Sequence, residues 1–172
     1  MATHVALLRA VNVGGTGKLP MKELRRLCEE AGFEAVETYI ASGNVVFRSG
    51  DSADKVRSIL ERRLEDFSGQ HFDVLVRSAR EVADLLAANP YPDQPGNKVA
   101  VMFLDRKPPA DLSGISKGVA DEKFEPAAQE IFIHYPEGLG QSKLVFDGLG
   151  ISTTRNMNTV AKLAKMASGS IT

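Results

Sequence analysis

Ala35–Ser49 reads AVETYIASGNVVFRS. AVETYI mixes polar and apolar residues as an edge strand does. ASGN supplies turn residues, and VVFRS is apolar again. Two strands joined directly, between two helical patterns, are what separates a split β-α-β-β arrangement from a simple alternation of strand and helix. The flanking sequence decides whether that arrangement is complete.

Upstream, Thr3–Arg9 (THVALLR) is apolar on successive residues, the pattern of a strand buried on both faces. Met21–Ala31 then sets Met21, Leu24, Leu27, Cys28 and Ala31 on one helical stripe, with Pro20 suited to the first turn and Gly32 to the stop. Downstream, Asp51 is placed to cap a helix whose apolar face is Val56, Ile59, Leu60, Leu64 and Phe67. FDVLVRS, Phe72–Ser78, alternates as a half-exposed strand. The order is β-α-β-β-α-β, which predicts an α+β protein with a ferredoxin-like N-terminal half. Its first and third strands are central and its second and fourth are edges.

Ser78-Ala79-Arg80-Glu81 spells a capping box, and the helix after it, with Val82, Leu85 and Leu86, stops before Pro90. Asn89–Asn97 holds three prolines and a glycine and reads as a linker or long loop. Lys98–Asp105 is a strand. PPADLSGI predicts one or two helical turns, Val119–Phe124 and Glu130–Tyr135 a hairpin, and Ser142–Leu149 a short helix. Asn156–Ala167 is a helix with Met157, Val160, Leu163, Ala164 and Ala167 inward. The second half therefore predicts a smaller α+β unit of similar split order, without residue-level repetition. The expected divisions are 1–78, a helix and Pro-rich linker over 79–97, and 98–172.

The 172 residues are 43% hydrophobic and 25% charged, with formal net charge −1. No global field draws the chain to nucleic acid or a membrane. One cysteine, Cys28, excludes an intrachain disulfide framework, and it sits on an apolar stripe. No basic segment leads into a signal core, and no apolar run nears membrane-spanning length. The expectation is a soluble cytoplasmic protein.

The chemistry concentrates in two segments. Val11–Pro20, VNVGGTGKLP, joins the first strand to the first helix. It fails as a Walker loop, because Asn12 stands at the first glycine and Leu19 at the hydroxyl. It fails as a dinucleotide fingerprint, because Pro20 stands at the third glycine. An ordinary glycine turn remains open beside an anion nest. The split topology sets Asn12, Gly14 and Gly15 beside Ser42, Gly43 and Asn44 at the edge where the first helix starts. Arg9 and Lys18 flank the loop, and no carboxylate intervenes before Lys22. The second segment, Ser152–Thr159 (STTRNMNT), is read as opening the last helix with hydroxyls, amides and Arg155 in place of acids. From Gln141 onward four basic residues (Lys143, Arg155, Lys162, Lys165) face one acid, Asp147. A self-capped helix with a solvated basic face is the alternative. His4, His71 and His134 lack metal-ligand spacing, so no metal is expected. His134 is placed on a polar strand face. No carboxylate pair is set for acid–base work, and Tyr39, Tyr91 and Tyr135 form no stacking platform.

The stretch from Leu7 to Phe47, together with YPEGLGQSKL (Tyr135–Leu144) and TTRNMNTVAKL (Thr153–Leu163), resembles the bacterial family known as domain of unknown function 1697. The resemblance spans nearly the whole chain and implies a two-part α+β architecture of ferredoxin-like character with no assigned activity; no cofactor is expected. Its recurrent motifs fall here on Arg9, Asn12, Gly14, Gly15, Ser42, Gly43, Asn44, Ser142, Lys143, Thr154, Arg155, Asn156 and Asn158. Ala10 stands where the family commonly has glycine, Ala41 where it has glutamine and Met157 where it has tryptophan. A tryptophan there is either a ligand-stacking ring that this chain has lost or core packing that methionine replaces.

Three functions stay open. The first is a binding module for a phosphate-bearing small molecule or a nucleic-acid end, in a pocket joining the first-half edge to the start of the last helix. Its donors are Arg9, Asn12, Gly14, Gly15, Lys18, Ser42, Asn44, Lys143, Thr154, Arg155, Asn156 and Asn158. The second is a phosphoryl- or nucleotidyl-transfer enzyme using the same donors as clamps. The third is a structural or interaction protein, for which paired sheet edges allow a homodimer.

Overall fold

In the computed structural model, residues 1–12 and 18–169 are described. The chain divides into two units, Met1–Asp84 with Lys162–Thr172, and Leu85–Ala161. In the first, β1 (Ala2–Leu8) leads to α1 (Met21–Glu30), β2 (Glu34–Tyr39), β3 (Asn44–Ser49), α2 (Ala53–Ser68) and β4 (Val74–Ser78). The strands form one antiparallel sheet in the order β2-β3-β1-β4. Val5 to Leu8 are buried completely, as the unbroken apolar run of a central strand requires. Ala6 and Leu8 share a core with Val45, Phe47, Val74 and Val76 of the neighbouring strands. Leu24, Leu27 and Cys28 of α1 and Val56, Leu60 and Leu64 of α2 close it. Phe33 stacks on Phe47 with centroids 4.4 Å apart.

The helix ends follow local chemistry. At the end of α1, Gly32 takes φ +89° and the Phe33 N–H donates to the Cys28 carbonyl. α2 is capped by Ser52, whose side chain accepts from the Lys55 N–H, and not by Asp51 as expected. Asp51 pairs instead with the Lys55 ammonium at 3.1 Å. α3 (Ala79–Ala87) starts on the reciprocal box, Ser78 N–H to Glu81 Oε1 at 2.8 Å and Glu81 N–H to Ser78 Oγ at 3.0 Å.

The second unit departs further from the sequence reading. β5 (Val99–Leu104), β7 (Lys123–Pro126), β8 (Glu130–His134) and β10 (Ser152–Asn156) form an antiparallel sheet in the order β10-β5-β8-β7. A separate two-residue pairing joins β6 (Ser116–Lys117) to β9 (Val145–Phe146). The hairpin exists but starts at Lys123, with Phe124 opposite Ile133. The helix expected over 142–149 is β9 and turns, and PPADLSGI yields only the 3₁₀ turn Ser113–Ile115. The correction that matters most is at STTRN. It is strand β10, opposite β5, with Thr154 facing Met102 and Arg155 facing Val101. Two β-branched threonines and alternating burial favour a strand. The helix α4 (Met157–Gly169) begins only after it, and Met157, Val160, Leu163, Ala164 and Ala167 are all buried. No helix among the described residues is long and apolar enough to cross a membrane.

Gly43, in the β2–β3 turn, has φ +90°. A Cβ there would lie 2.5 Å from Val11 Cγ2 and 2.9 Å from Leu8 Cβ. Gly43→Ala combines left-handed strain of ~1–2 kcal/mol with overpacking of ~1–3 kcal/mol. The expected outcome in thermal denaturation is a melting temperature lower by roughly 5–15 °C. Ala10 holds φ +60°, so Ala10→Gly in the same assay leaves the melting temperature unchanged or higher.

Candidate functional site

Where β1 ends, three short segments converge in the first unit. The Leu8 N–H donates to the Gly43 carbonyl and the Arg9 N–H to the Asp73 carbonyl, both at 2.9 Å. Asn12 then turns the chain with φ +56°, a conformation asparagine tolerates better than most residues. Its amide donates to the carbonyls of Leu19 (2.9 Å) and Ala41 (2.8 Å), and its Oδ1 accepts from the Leu19 N–H at 2.7 Å. One side chain thus ties the end of β1 to the entry of α1 and to the β2–β3 turn. Asn44, completely buried, donates to the Tyr39 carbonyl and to Ser42 Oγ, each at 2.9 Å. Both asparagines spend their amide hydrogens on protein acceptors, so they shape the edge. Gly14 and Gly15 lie outside the described residues.

Beside this seam a hollow of about 380 Å3 is lined by Asn12, Lys18, Leu19, Pro20, Met21 and Ala41. None of these is acidic. Pro20 precedes α1 and offers no side-chain acceptor, so the first-turn N–H groups of Met21 and Lys22 have no side-chain cap. Lys18 is exposed and makes no ion pair among the described residues. Arg9 leans toward Asp73, Nη1 to Oδ2 at 3.9 Å, with its side chain half exposed. A larger hollow of about 580 Å3 lies on α2, where Lys55, Arg62 and Arg63 adjoin Asp66.

The remaining expected residues belong to the second unit, and they are differently employed. Arg155 is buried on β10. Its Nη1 donates to Thr153 Oγ1 at 2.6 Å and to the Thr154 carbonyl at 3.1 Å, and burial pulls its pKa down to about 10. It is a core cation and not a charge at a helix start. Asn156 is the cap of α4, accepting from the Thr159 N–H at 2.9 Å. Asn158 packs its amide on Gly96, where any Cβ would collide with Oδ1. Lys143 is exposed beside a hollow of about 260 Å3 that it shares with Asp121, Glu122 and Glu137. Ser142 Oγ donates to Glu122 Oε2 at 2.5 Å, and that bond holds the Glu122 carboxyl below its ordinary range. Three carboxylates make this hollow a poor seat for an anion.

One cluster was missed. Glu61 of α2, His71 and Asp73 bring one ligand atom each to within 4.8 Å of one another. His71 Nε2 lies 2.9 Å from Asp73 Oδ1, and that hydrogen bond raises the imidazole above its ordinary pKa. The His-x-Asp spacing at the start of a strand was the available signal. Glu61, ten residues earlier on a helix, joins it only through the tertiary fold.

A family model described as "Protein of unknown function (DUF1697)" matches residues 1–132. Among solved structures the chain is similar to the conserved bacterial protein SP0830 from Streptococcus pneumoniae. The two share 23% identity with a TM-score of 0.77, over 96% of this chain and 98% of that one. That likeness speaks to the fold. Comparison with curated proteins gives no match.

Two outcomes follow from this geometry. Asn12→Gly keeps the left-handed turn and removes three hydrogen bonds, so chemical denaturation should show a loss of ~2–3 kcal/mol, and Asn12→Ala a larger one. Burial pushes the Cys28 thiol up to about 12. A thiol reagent at pH 8 should therefore label it only on unfolding. Because the folded pKa is raised, this group's share of stability is present below the unfolded value and is lost as pH rises toward about 12.

Proposed function

The chain belongs to the DUF1697 family of proteins of unknown function, and from that premise we propose that it is a binding module for a phosphate-bearing ligand, a nucleotide or a nucleic-acid end. We place the contact at the edge of the first unit. The observation that carries the reading is the acid-free hollow where the Lys18 ammonium adjoins the side-chain-uncapped start of α1. An ammonium and open N–H groups at a helix start are complementary to phosphate oxygens, and the helix dipole adds to them. Arg9, which follows β1 in the chain, is a second cation, half exposed and 3.9 Å from Asp73. The strand order β2-β3-β1-β4 supports treating this unit as a ferredoxin-like split βαββαβ. On that topology the end of β1 and the β2–β3 turn share one sheet edge. A single buried thiol without a disulfide suits a reducing cytoplasmic setting.

A structural or interaction role is the competing reading, and the engagement of Asn12, Asn44 and Asn156 with protein groups favours it at those positions. The two are separated by titrating ATP, inorganic polyphosphate and 5′-phosphorylated against unphosphorylated oligonucleotides, followed by calorimetry and thermal shift. The binding reading expects a salt-sensitive interaction that needs the phosphate. It should weaken about tenfold or more in Lys18→Ala, further in Lys18→Glu, and remain in Arg62→Ala. Absence of binding by the wild type, or equal binding by Lys18→Glu, would leave the structural role standing.

A further inference from the structure

We propose that Glu61, His71 and Asp73 form a binding site for a divalent transition-metal ion, with one imidazole nitrogen and two carboxylate oxygens as its protein ligands. The site borders the phosphate reading at Arg9, which faces Asp73, but does not rest on that reading. Ligand atoms that share such an ion at about 2.0–2.2 Å stand roughly 3–3.5 Å apart. His71 Nε2 and Asp73 Oδ1 already stand 2.9 Å apart, and all three donor atoms lie within 4.8 Å of one another. Closing the set is a movement of about 1 Å, within reach of a His71 side chain that is half exposed.

The carboxylates are positioned groups rather than loose surface acids. Their side chains are only 21% and 23% exposed. The Val74 N–H donates to Glu61 Oε2 at 3.1 Å, and Arg57 Nε lies 3.5 Å from the same oxygen. Arg9 Nη1 faces Asp73 Oδ2. Each acid is thus held in place by neighbouring donors, the arrangement by which outer partners orient metal ligands. The two arginines oppose a cation, and Glu65, whose charge is felt at His71, favours one. Two carboxylates with a neutral imidazole suit Zn2+, Co2+ or Mn2+ and are a poor match to the all-oxygen preference of Mg2+.

The competing histidines are accounted for. His4 is buried, and the His134 ring packs 5.6 Å from that of Tyr91. The test uses the full chain without an affinity tag, titrated with ZnCl2 by calorimetry and with CoCl2 by visible absorption. One ion per chain is expected, with no heat from MgCl2. The affinity should fall at least about tenfold in His71→Ala and in Asp73→Asn, and be unchanged in His134→Ala. Circular dichroism without metal establishes folding, and His71→Ala decides the matter if Asp73→Asn fails to fold. Silence of the wild type at millimolar Zn2+, or an unchanged affinity in His71→Ala, would overturn the assignment.

Discussion

The first unit depends on a close backbone approach. β1 and the β2–β3 turn meet where Gly43 presents a bare Cα to Leu8 and Val11, and the Leu8 N–H reaches the Gly43 carbonyl. A side chain at Gly43 would push the turn away. The Asn12 bond to the Ala41 carbonyl would then lose its partner, and the entry to α1 would lose its anchor. Shape at this edge is therefore held by polar groups of high directionality, whereas the sheet behind it is held by nondirectional apolar burial. That division explains why this short stretch is rich in Gly, Asn and Ser.

The first half was readable because its signals are local and periodic. An unbroken apolar run gave a central strand, a three-four spacing gave each helix, and Pro20, Gly32 and Ser78 marked their ends. The second half obeys weaker rules. β6 and β9 have two residues each, too few for any alternation to register, and both exist only because each finds the other. STTRN was misread for a chemical reason. Threonine, serine and asparagine favour helix caps, yet threonine is also a good strand former, and only the pairing with β5 selects between them. A side-chain cap does open the helix, but it is Asn156 at the end of the strand and neither Thr153 nor Thr154. The cluster of Glu61, His71 and Asp73 was legible only in its His71-x-Asp73 part, because no local spacing links Glu61 of α2 to the residues before β4.

Residue type and residue role separate most sharply among the polar motif positions. Arg155 reads as a free cation from sequence, but burial and bonds to Thr153 and to the Thr154 carbonyl turn it into a strut of β10. Its lowered pKa, about 10, still leaves it charged at neutral pH, so the charge is buried together with its partners. Lys18 is the contrasting case. The sequence names it among the candidate donors, and it borders a hollow with no carboxylate in its lining. The cation exposed beside free N–H groups is the better ligand candidate than the cation already satisfied.

Met157 presents the same contrast between residue type and role. The family resemblance puts tryptophan at this position, as either a ligand platform or core. Here the side chain is 6% exposed at the first turn of α4, directly after the Asn156 cap. A ring meant to stack on a ligand needs an open face, and a site this closed has none to give. A flexible thioether, by contrast, fills an irregular gap left by an indole. In this chain Met157 is therefore a packing residue of the first turn of α4.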